Sequence, residues 1–312
     1  MQQRSYVPVL ASLALATVTL SGCGGGGSDS SGGGGTPTAT ISTMSVNATK
    51  YTQAAVITIN GTGLDSTLSL TSSTCSGMTM LTTAPTVSTS TTAYYACTVG
   101  GALTRQSDGT LAGTVIAKSN GTQIKTASFS VPQPVVTLAI NNGAAVNGVL
   151  TVTLAADKAP ATVTNFLAYV NSGFYNGTIF HRDVANFVMQ AGGYAPQITD
   201  LSTATLKTGL LAPIAVENTG LSNVMWSVAM ANANTTTNTV TTQSQFYFNL
   251  ANNTNLDGNY AVFGAVTAGT AVAQAILAAP ANCVTDQFPS GASETDCLPV
   301  PNAVITTATQ TQ

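Results

Sequence analysis

The sequence predicts a mainly β protein in two parts: a small N-terminal β-sandwich and a C-terminal β domain that carries two helices. Three observations lead there. Charged residues are only 6% of the 312 and hydrophobics are 44%, and a Thr- and Val-rich chain of that kind suits pleated, half-buried surfaces better than solvated helices. Short apolar–polar alternations recur, with Asn-Gly or Asp-Gly steps between them. Two stretches alone, both late in the chain, carry a helical signature. The same composition argues against disorder over most of the chain. A net charge of −3 and the lack of any basic run exclude a nucleic-acid footprint.

The N-terminus predicts export. Arg4 gives a positive start, and Val7 to Leu20 is apolar but too short to span a membrane. Leu20-Ser21-Gly22-Cys23 resembles the lipobox of bacterial lipoproteins. That implies a signal peptide over 1–22, lipidation of Cys23, and a membrane attachment made by acyl chains alone. Gly24 stands where inner-membrane retention would use aspartate, so the expected site is the cell envelope, at the outer membrane facing the periplasm. Residues 23–36 are nearly all Gly and Ser and predict a flexible tether.

Residues 37–131 predict the sandwich, roughly immunoglobulin-like. Strands are expected at Ala55–Ile59, Thr67–Leu70, Thr114–Ile116 and Thr122–Val131. Asn60-Gly61, Asp108-Gly109 and Asn120-Gly121 are the expected turns. No catalytic constellation falls here, so a spacer or interaction module is the expectation. Val131-Pro132-Gln133-Pro134 marks the boundary, since alternating prolines favour extended backbone.

From 135 the pattern sharpens. Val136, Leu138 and Ile140 alternate, Asn142-Gly143 turns the chain, and Leu150, Val152 and Leu154 alternate again. Pro160 suits the first position of a helix. Val163, Phe166, Leu167 and Val170 then make one apolar stripe, and Gly173 is placed to end it. A second helix is expected over 271–278, capped by Thr270. The segment 280–301 reads as an insertion before a final strand at Ala303 to Thr307.

Between the two helices lies the stretch around which the chain is organised, residues 178–193. It holds the only histidine, His181, and the only arginine beyond Arg105, Arg182. A guanidinium set among Phe180, Val184, Phe187 and Val188 needs a partner or a task. Asp183 and Glu217 are the acids that a purely structural Arg182 would pair with. His181 has no second histidine or Gly-x-Ser-x-Gly serine to work with, so a structural role is expected.

Phe180-His181-Arg182, followed by Phe187, Gln190, Gly192 and Gly193, resembles the active-site strand of cyclophilin-type peptidyl-prolyl isomerases. Other strings resemble that family in the same order: the Ala159-Pro160 helix start, Val228 to Asn232, Ser244 to Phe248, and Leu256 to Gly264. The resemblance runs from about 135 to 308. It implies a closed eight-stranded antiparallel β-barrel with two helices over 133–312. It also implies isomerase activity on Xaa-Pro bonds without cofactor or metal, acting as a monomer on proline-containing polypeptide clients.

The resemblance makes Arg182, Phe187 and Gln190 catalytic. It places Val188, Ala231, Asn232, Gln245, Tyr247, Leu256 and Tyr260 against the substrate. Phe187 and Gln190 would share one strand, which then needs a bulge or twist for both to face the site. The chain departs from the commonest pattern at Val188 (usually Met), Tyr247 (usually Phe) and Asn255 (often Trp in eukaryotic members). Tyr260 stands where those members carry His. A second expectation follows from these departures: a surface interaction module or proline-binding chaperone whose isomerase site is weakened. With Cys23 lipidated, four cysteines allow three pairings, and sequence locality favours Cys75–Cys97 and Cys283–Cys297.

Overall fold

The computed structural model describes residues 38–64, 67–83, 86–234, 241–287 and 293–312. Cys23 and the signal and tether segments lie outside the described residues, as do residues 235–240. Among the described residues no helix is long and apolar enough to cross a membrane.

Two four-stranded antiparallel sheets come first. One runs β1 (Thr40–Asn47), β2 (Ala54–Thr62), β5 (Thr92–Val99), β4 (Cys75–Met80). The other holds β3 (Leu68–Thr71), β7 (Leu111–Ser119) and β6 (Thr104–Arg105), with β8 (Thr122–Val131) also paired to β7. Period-2 alternation decides which side chains face inward: Ile57, Ile59, Val99, Leu111, Val115 and Val131 are all buried. Asn120-Gly121 makes the β7–β8 hairpin, with φ of 48° and 79°, the positive pair that a tight hairpin turn demands. Asn60-Gly61 does not turn the chain. It lies inside β2, where Thr40 of β1 approaches so closely that a Cβ on Gly61 would collide with its carbonyl. The Cys75–Cys97 disulfide ties β4 to β5.

The second assembly is a closed barrel. Its strands are β9 (Val135–Asn141), β10 (Asn147–Leu154), β11 (Thr178–Asp183), β12 (Val188–Ala191), β14 (Ser227–Asn234), β15 (Thr241–Asn249), β16 (Val262–Ala268) and β19 (Val304–Gln310). They pair antiparallel in the order β12-β15-β14-β16-β10-β9-β19-β11, and a β11–β12 pairing closes the ring of eight. A short β13 (Ile214–Ala215) pairs with β15. The hairpin β17 (Ala281–Gln287) and β18 (Ser293–Pro299) attaches to β11 through Asp183 opposite Cys297. That hairpin is the insertion before the last strand, and Cys283–Cys297 bridges a directly opposed pair within it.

Helix α1 (Pro160–Asn171) begins with proline in its first turn. Its N-terminus has no cap from its own sequence. The Glu217 carboxylate arrives from a distant loop instead, accepting from Thr162 N at 2.9 Å and Ala161 N at 3.3 Å. A carboxylate there satisfies orphan amides and faces the positive end of the helix dipole. Helix α2 (Thr270–Leu277) is capped by Gly269, so Thr270 is the first helical residue and not the cap.

Phe166 of α1 packs on Tyr175, Phe246 and Phe263, with ring centroids 5.0–5.3 Å apart. The hydrophobic core is continuous from the sheets of residues 40–131 into the barrel. Tyr51, fully buried, donates to Gly101 O at 2.9 Å, and Gln310 of β19 donates to Tyr51 O at 2.9 Å.

Candidate active site

β11 is buried at five of its six positions, and Arg182 is the exception. The ladder fixes what lies beside it. Arg182 pairs with Gln190 of β12, Gln190 with Tyr247 of β15, and Tyr247 with Ala229 of β14. One row across four strands therefore carries a cation, an amide and an aromatic ring to the same wall. Phe187 is not on a strand with Gln190. It ends the turn from β11 into β12, held by its amide on Val184 O at 3.0 Å, so no bulge in β12 is needed for both to face the groove. The irregularity falls on β11 instead, between Phe180 and Arg182.

These residues enclose a groove of about 250 Å³ lined by Arg182, Phe187, Val188, Gln190, Ala231, Tyr247, Leu256 and Tyr260. Beneath it, Val188, Ala229, Ala231, Tyr247 and Val262 form a small apolar cluster separate from the barrel core. Arg182 borders that floor with its Cζ 5.9 Å from the Phe187 ring centroid. Its Nε lies 3.0 Å from Asp296 Oδ1 on β18, a partner the sequence did not suggest. Glu217 is engaged on α1. Asp183 is buried, and desolvation pushes its carboxyl up to about 8, so it is protonated at neutral pH.

Two expected substrate contacts, Asn232 and Gln245, line an adjoining groove of about 80 Å³ that shares Ala231 with the first. Gln190 Nε2 donates to Gln245 Oε1 at 2.8 Å, which joins the two grooves and orients both amides. The Gly192-Gly193 pair makes this possible. Gly192 has φ of 87°, and a Cβ on Gly193 would sit 2.8 Å from the Gln245 side chain. Between Met230 and Asn232 the β14–β15 register slips, so the ladder is interrupted at Ala231. A strand segment relieved of its cross-strand partner can pair with an incoming extended peptide.

The hydroxyl of Tyr247 does not make the groove polar. It points behind the wall and donates to Asn223 Oδ1 at 2.8 Å. Asn223 is fully buried and is the hub of a network that sequence reasoning missed. Its N and Nδ2 donate to Asp257 Oδ1 at 2.7 and 2.9 Å, and its Oδ1 also accepts from Asn249 Nδ2 at 3.1 Å. Asn253 Nδ2 continues it to Asn249 Oδ1 and to Phe187 O, each at 2.8 Å. Buried asparagines are uncommon, but in a chain so rich in Asn no local signal marks these three. Tyr260 packs edge-on against Tyr247 at 5.8 Å, and Asn255 is exposed on the short turn that presents Leu256.

His181 is buried against Tyr194, with ring centroids 4.8 Å apart. Burial pushes its imidazole down to about 4, so it is neutral at neutral pH and cannot serve there as an imidazolium acid. Among the described residues no group of three or more His, Cys, Asp or Glu is placed to hold a metal.

Comparison with known proteins agrees with this architecture. The family described as cyclophilin type peptidyl-prolyl cis-trans isomerase/CLD matches residues 135–308. This chain belongs to the cyclophilin family. It is 43% identical over 128 residues to the peptidyl-prolyl cis-trans isomerase cyp18 of Streptomyces antibioticus, covering 38% of this chain and 71% of that protein. It is 41% identical over 130 residues to a peptidyl-prolyl cis-trans isomerase of Acinetobacter baylyi, covering 40% and 64%. Against peptidyl-prolyl cis-trans isomerase B of Escherichia coli the identity is 37% over 129 residues, covering 38% and 73%. The cyclophilin match begins at β9 and runs through the closed barrel into its last strand, β19, while the sheets of residues 40–131 lie outside it.

Proposed function

We propose that this cyclophilin is an exported, lipid-anchored enzyme that isomerises Xaa-Pro bonds of proteins folding in the cell envelope, with Arg182 as its catalytic donor. The isomerase activity follows from family membership. The anchor and the location rest on Arg4, the apolar run to Leu20 and the Leu20 to Cys23 lipobox. The Gly/Ser tether over 23–36 would hold the enzyme off the outer membrane, facing the periplasm.

The barrier to rotation about a peptide bond is about 18–20 kcal/mol and comes from amide resonance. Lowering it needs no nucleophile. It needs an apolar seat for the proline ring, a grip on the flanking backbone, and a donor that meets the prolyl nitrogen as its lone pair localises. Val188, Tyr247, Leu256 and Tyr260 supply the seat. Gln190, Gln245 and the interrupted strand at Ala231–Asn232 supply the grip. Arg182 stands on the lip between the Phe187 ring and the Gln190 amide, and this placement is the observation that carries the reading.

A coupled isomerisation assay on an Xaa-Pro peptide tests it. Acceleration well above the uncatalysed rate is expected. Binding of the peptide without acceleration would favour a proline-binding chaperone instead.

A further inference from the structure

The inserted hairpin brings Asp296 to within 3.0 Å of Arg182 Nε. We propose that Asp296 is a positioning residue: its charge holds the Arg182 guanidinium at the groove lip, in place to donate to the twisting prolyl nitrogen. The proposal rests on the isomerase reading above and deepens it.

Strand pairing sets up the contact. With Asp183 of β11 opposite Cys297 of β18, antiparallel geometry places Arg182 and Asp296 diagonally across that pair, within reach of a long side chain. The hairpin that presents Asp296 is braced in several ways. Cys283–Cys297 crosses it one residue away from Asp296. Asn282 Nδ2 donates to Thr199 O at 2.8 Å, and Val300 N donates to Pro280 O at 2.8 Å. Phe187 already flanks the Arg182 guanidinium, and Asp296 adds a charge beside its Nε. A guanidinium is planar, so restraining Nε restrains both terminal nitrogens with it.

The contact is an ion pair and not an aligned hydrogen bond, since Asp296 Oδ1 makes no hydrogen bond despite the short distance. The hold is therefore electrostatic.

Two effects of the carboxylate oppose each other. It offsets part of the positive charge that would stabilise the twisted state, and it fixes the direction of the donor. Both side chains are partly exposed, at 23% and 26%, so water screens the first effect. The hold is screened as well, but it outweighs the charge offset, because donation weakens steeply with misalignment and catalysis is sensitive to small displacements. Positioning wins, and removing the charge slows the enzyme.

The test compares wild type, Asp296→Asn and Asp296→Ala on an uncharged Xaa-Pro peptide, at low and high salt, with thermal melting alongside. Asp296→Asn keeps the size and removes the charge. Both variants are expected to lower kcat about five- to tenfold, with KM within about twofold of wild type. Raising the ionic strength to about 1 M shortens the screening length to about 3 Å, so it should slow the wild type toward the variants and slow Asp296→Asn less than the wild type.

The guanidinium can also be watched directly. Arg4, Arg105 and Arg182 are the only arginines, so the 15N spectrum of arginine Nε–H groups is simple, and Arg182→Lys assigns the Arg182 signal. That signal should shift in both Asp296 variants. Wild-type or faster turnover in Asp296→Asn, or an unmoved Nε–H signal, overturns the proposal. So does a loss of rate that tracks melting alone. A wild type with no isomerase activity would instead overturn the isomerase reading, and the Nε–H shift would still decide whether Asp296 holds Arg182.

Discussion

Replacing Asn223 with alanine should destabilise the fold and loosen the groove wall at once. The side chain is fully buried and makes three hydrogen bonds: Tyr247 Oη at 2.8 Å, Asn249 Nδ2 at 3.1 Å and Asp257 Oδ1 at 2.9 Å. Alanine leaves the Tyr247 hydroxyl, itself in a residue only 4% exposed, with no acceptor there. A buried unsatisfied group costs about 1–3 kcal/mol. Asn249 Nδ2 keeps its bond to Ser227 Oγ at 2.9 Å, and Asp257 keeps the Asn223 amide, so each adds about 1 kcal/mol or less. The expected loss is about 2–4 kcal/mol, a fall in Tm of roughly 5–10 °C for a chain of this size. Tyr247→Phe removes the hydroxyl and leaves the ring on the groove. It should cost about 1 kcal/mol and change kcat/KM by less than about twofold. Because the stranded hydroxyl is absent from the double variant, its loss should fall about 1–2 kcal/mol short of the sum. Denaturant melts of the four proteins give the coupling directly. Strict additivity, or a tenfold loss of activity in Tyr247→Phe, would refute the claim that this hydroxyl serves the wall and not the substrate.

Two buried groups predict an unusual pH profile. His181 is pushed down from 6.5 to about 4, so its contribution is lost as pH falls through that window, where the unfolded chain takes up the proton. Asp183 is pushed up from 3.8 to about 8, so its contribution is lost as pH rises through that window, where the unfolded chain gives up the proton. The slopes oppose each other between about pH 4 and 6.5. From 6.5 to 8 Asp183 acts alone, and stability should fall by up to about 2 kcal/mol. Asp183→Asn should abolish that fall, as denaturant melts across the range would read. Separately, Cys23→Ala should eliminate incorporation of labelled palmitate, and label retained by the variant would contradict the anchor.

What was legible in the sequence followed from local pattern. β9 and β10 declared themselves by alternation, and α1 by its stripe, because each buries one face against a single core. β4, with the sequence Cys-Ser-Gly-Met-Thr-Met, and the polar hairpin β17–β18 did not, because cross-strand pairing and a disulfide hold them more than buried apolar faces do. β2 swallowed Asn60-Gly61 because the glycine serves close approach by β1 and not a turn. At the groove, the residues inside contiguous strings such as 180–193 and 244–248 could be read. Asp296, Glu217 and Asn223 could not. Each acts across a long sequence separation on a group that local periodicity does not connect to it, and each became visible only once strand register placed the two side by side.

Arg182 carries the proposed chemistry, so the decisive measurement is the isomerase rate of wild type, Arg182→Ala and Arg182→Lys on one Xaa-Pro peptide, beside their thermal melts. A charge-assisted hydrogen bond made mainly in the twisted state is worth about 1.5–3 kcal/mol. At 1.36 kcal/mol per tenfold, Arg182→Ala should lower kcat/KM roughly ten- to 200-fold. Arg182→Lys should fall well short of wild type, since an ammonium cannot reproduce the planar fork. Melting should change little, because the side chain stands on the groove lip and outside the barrel core. Near-wild-type turnover in Arg182→Ala, or a loss explained by unfolding, would contradict the assignment of Arg182 as the catalytic donor.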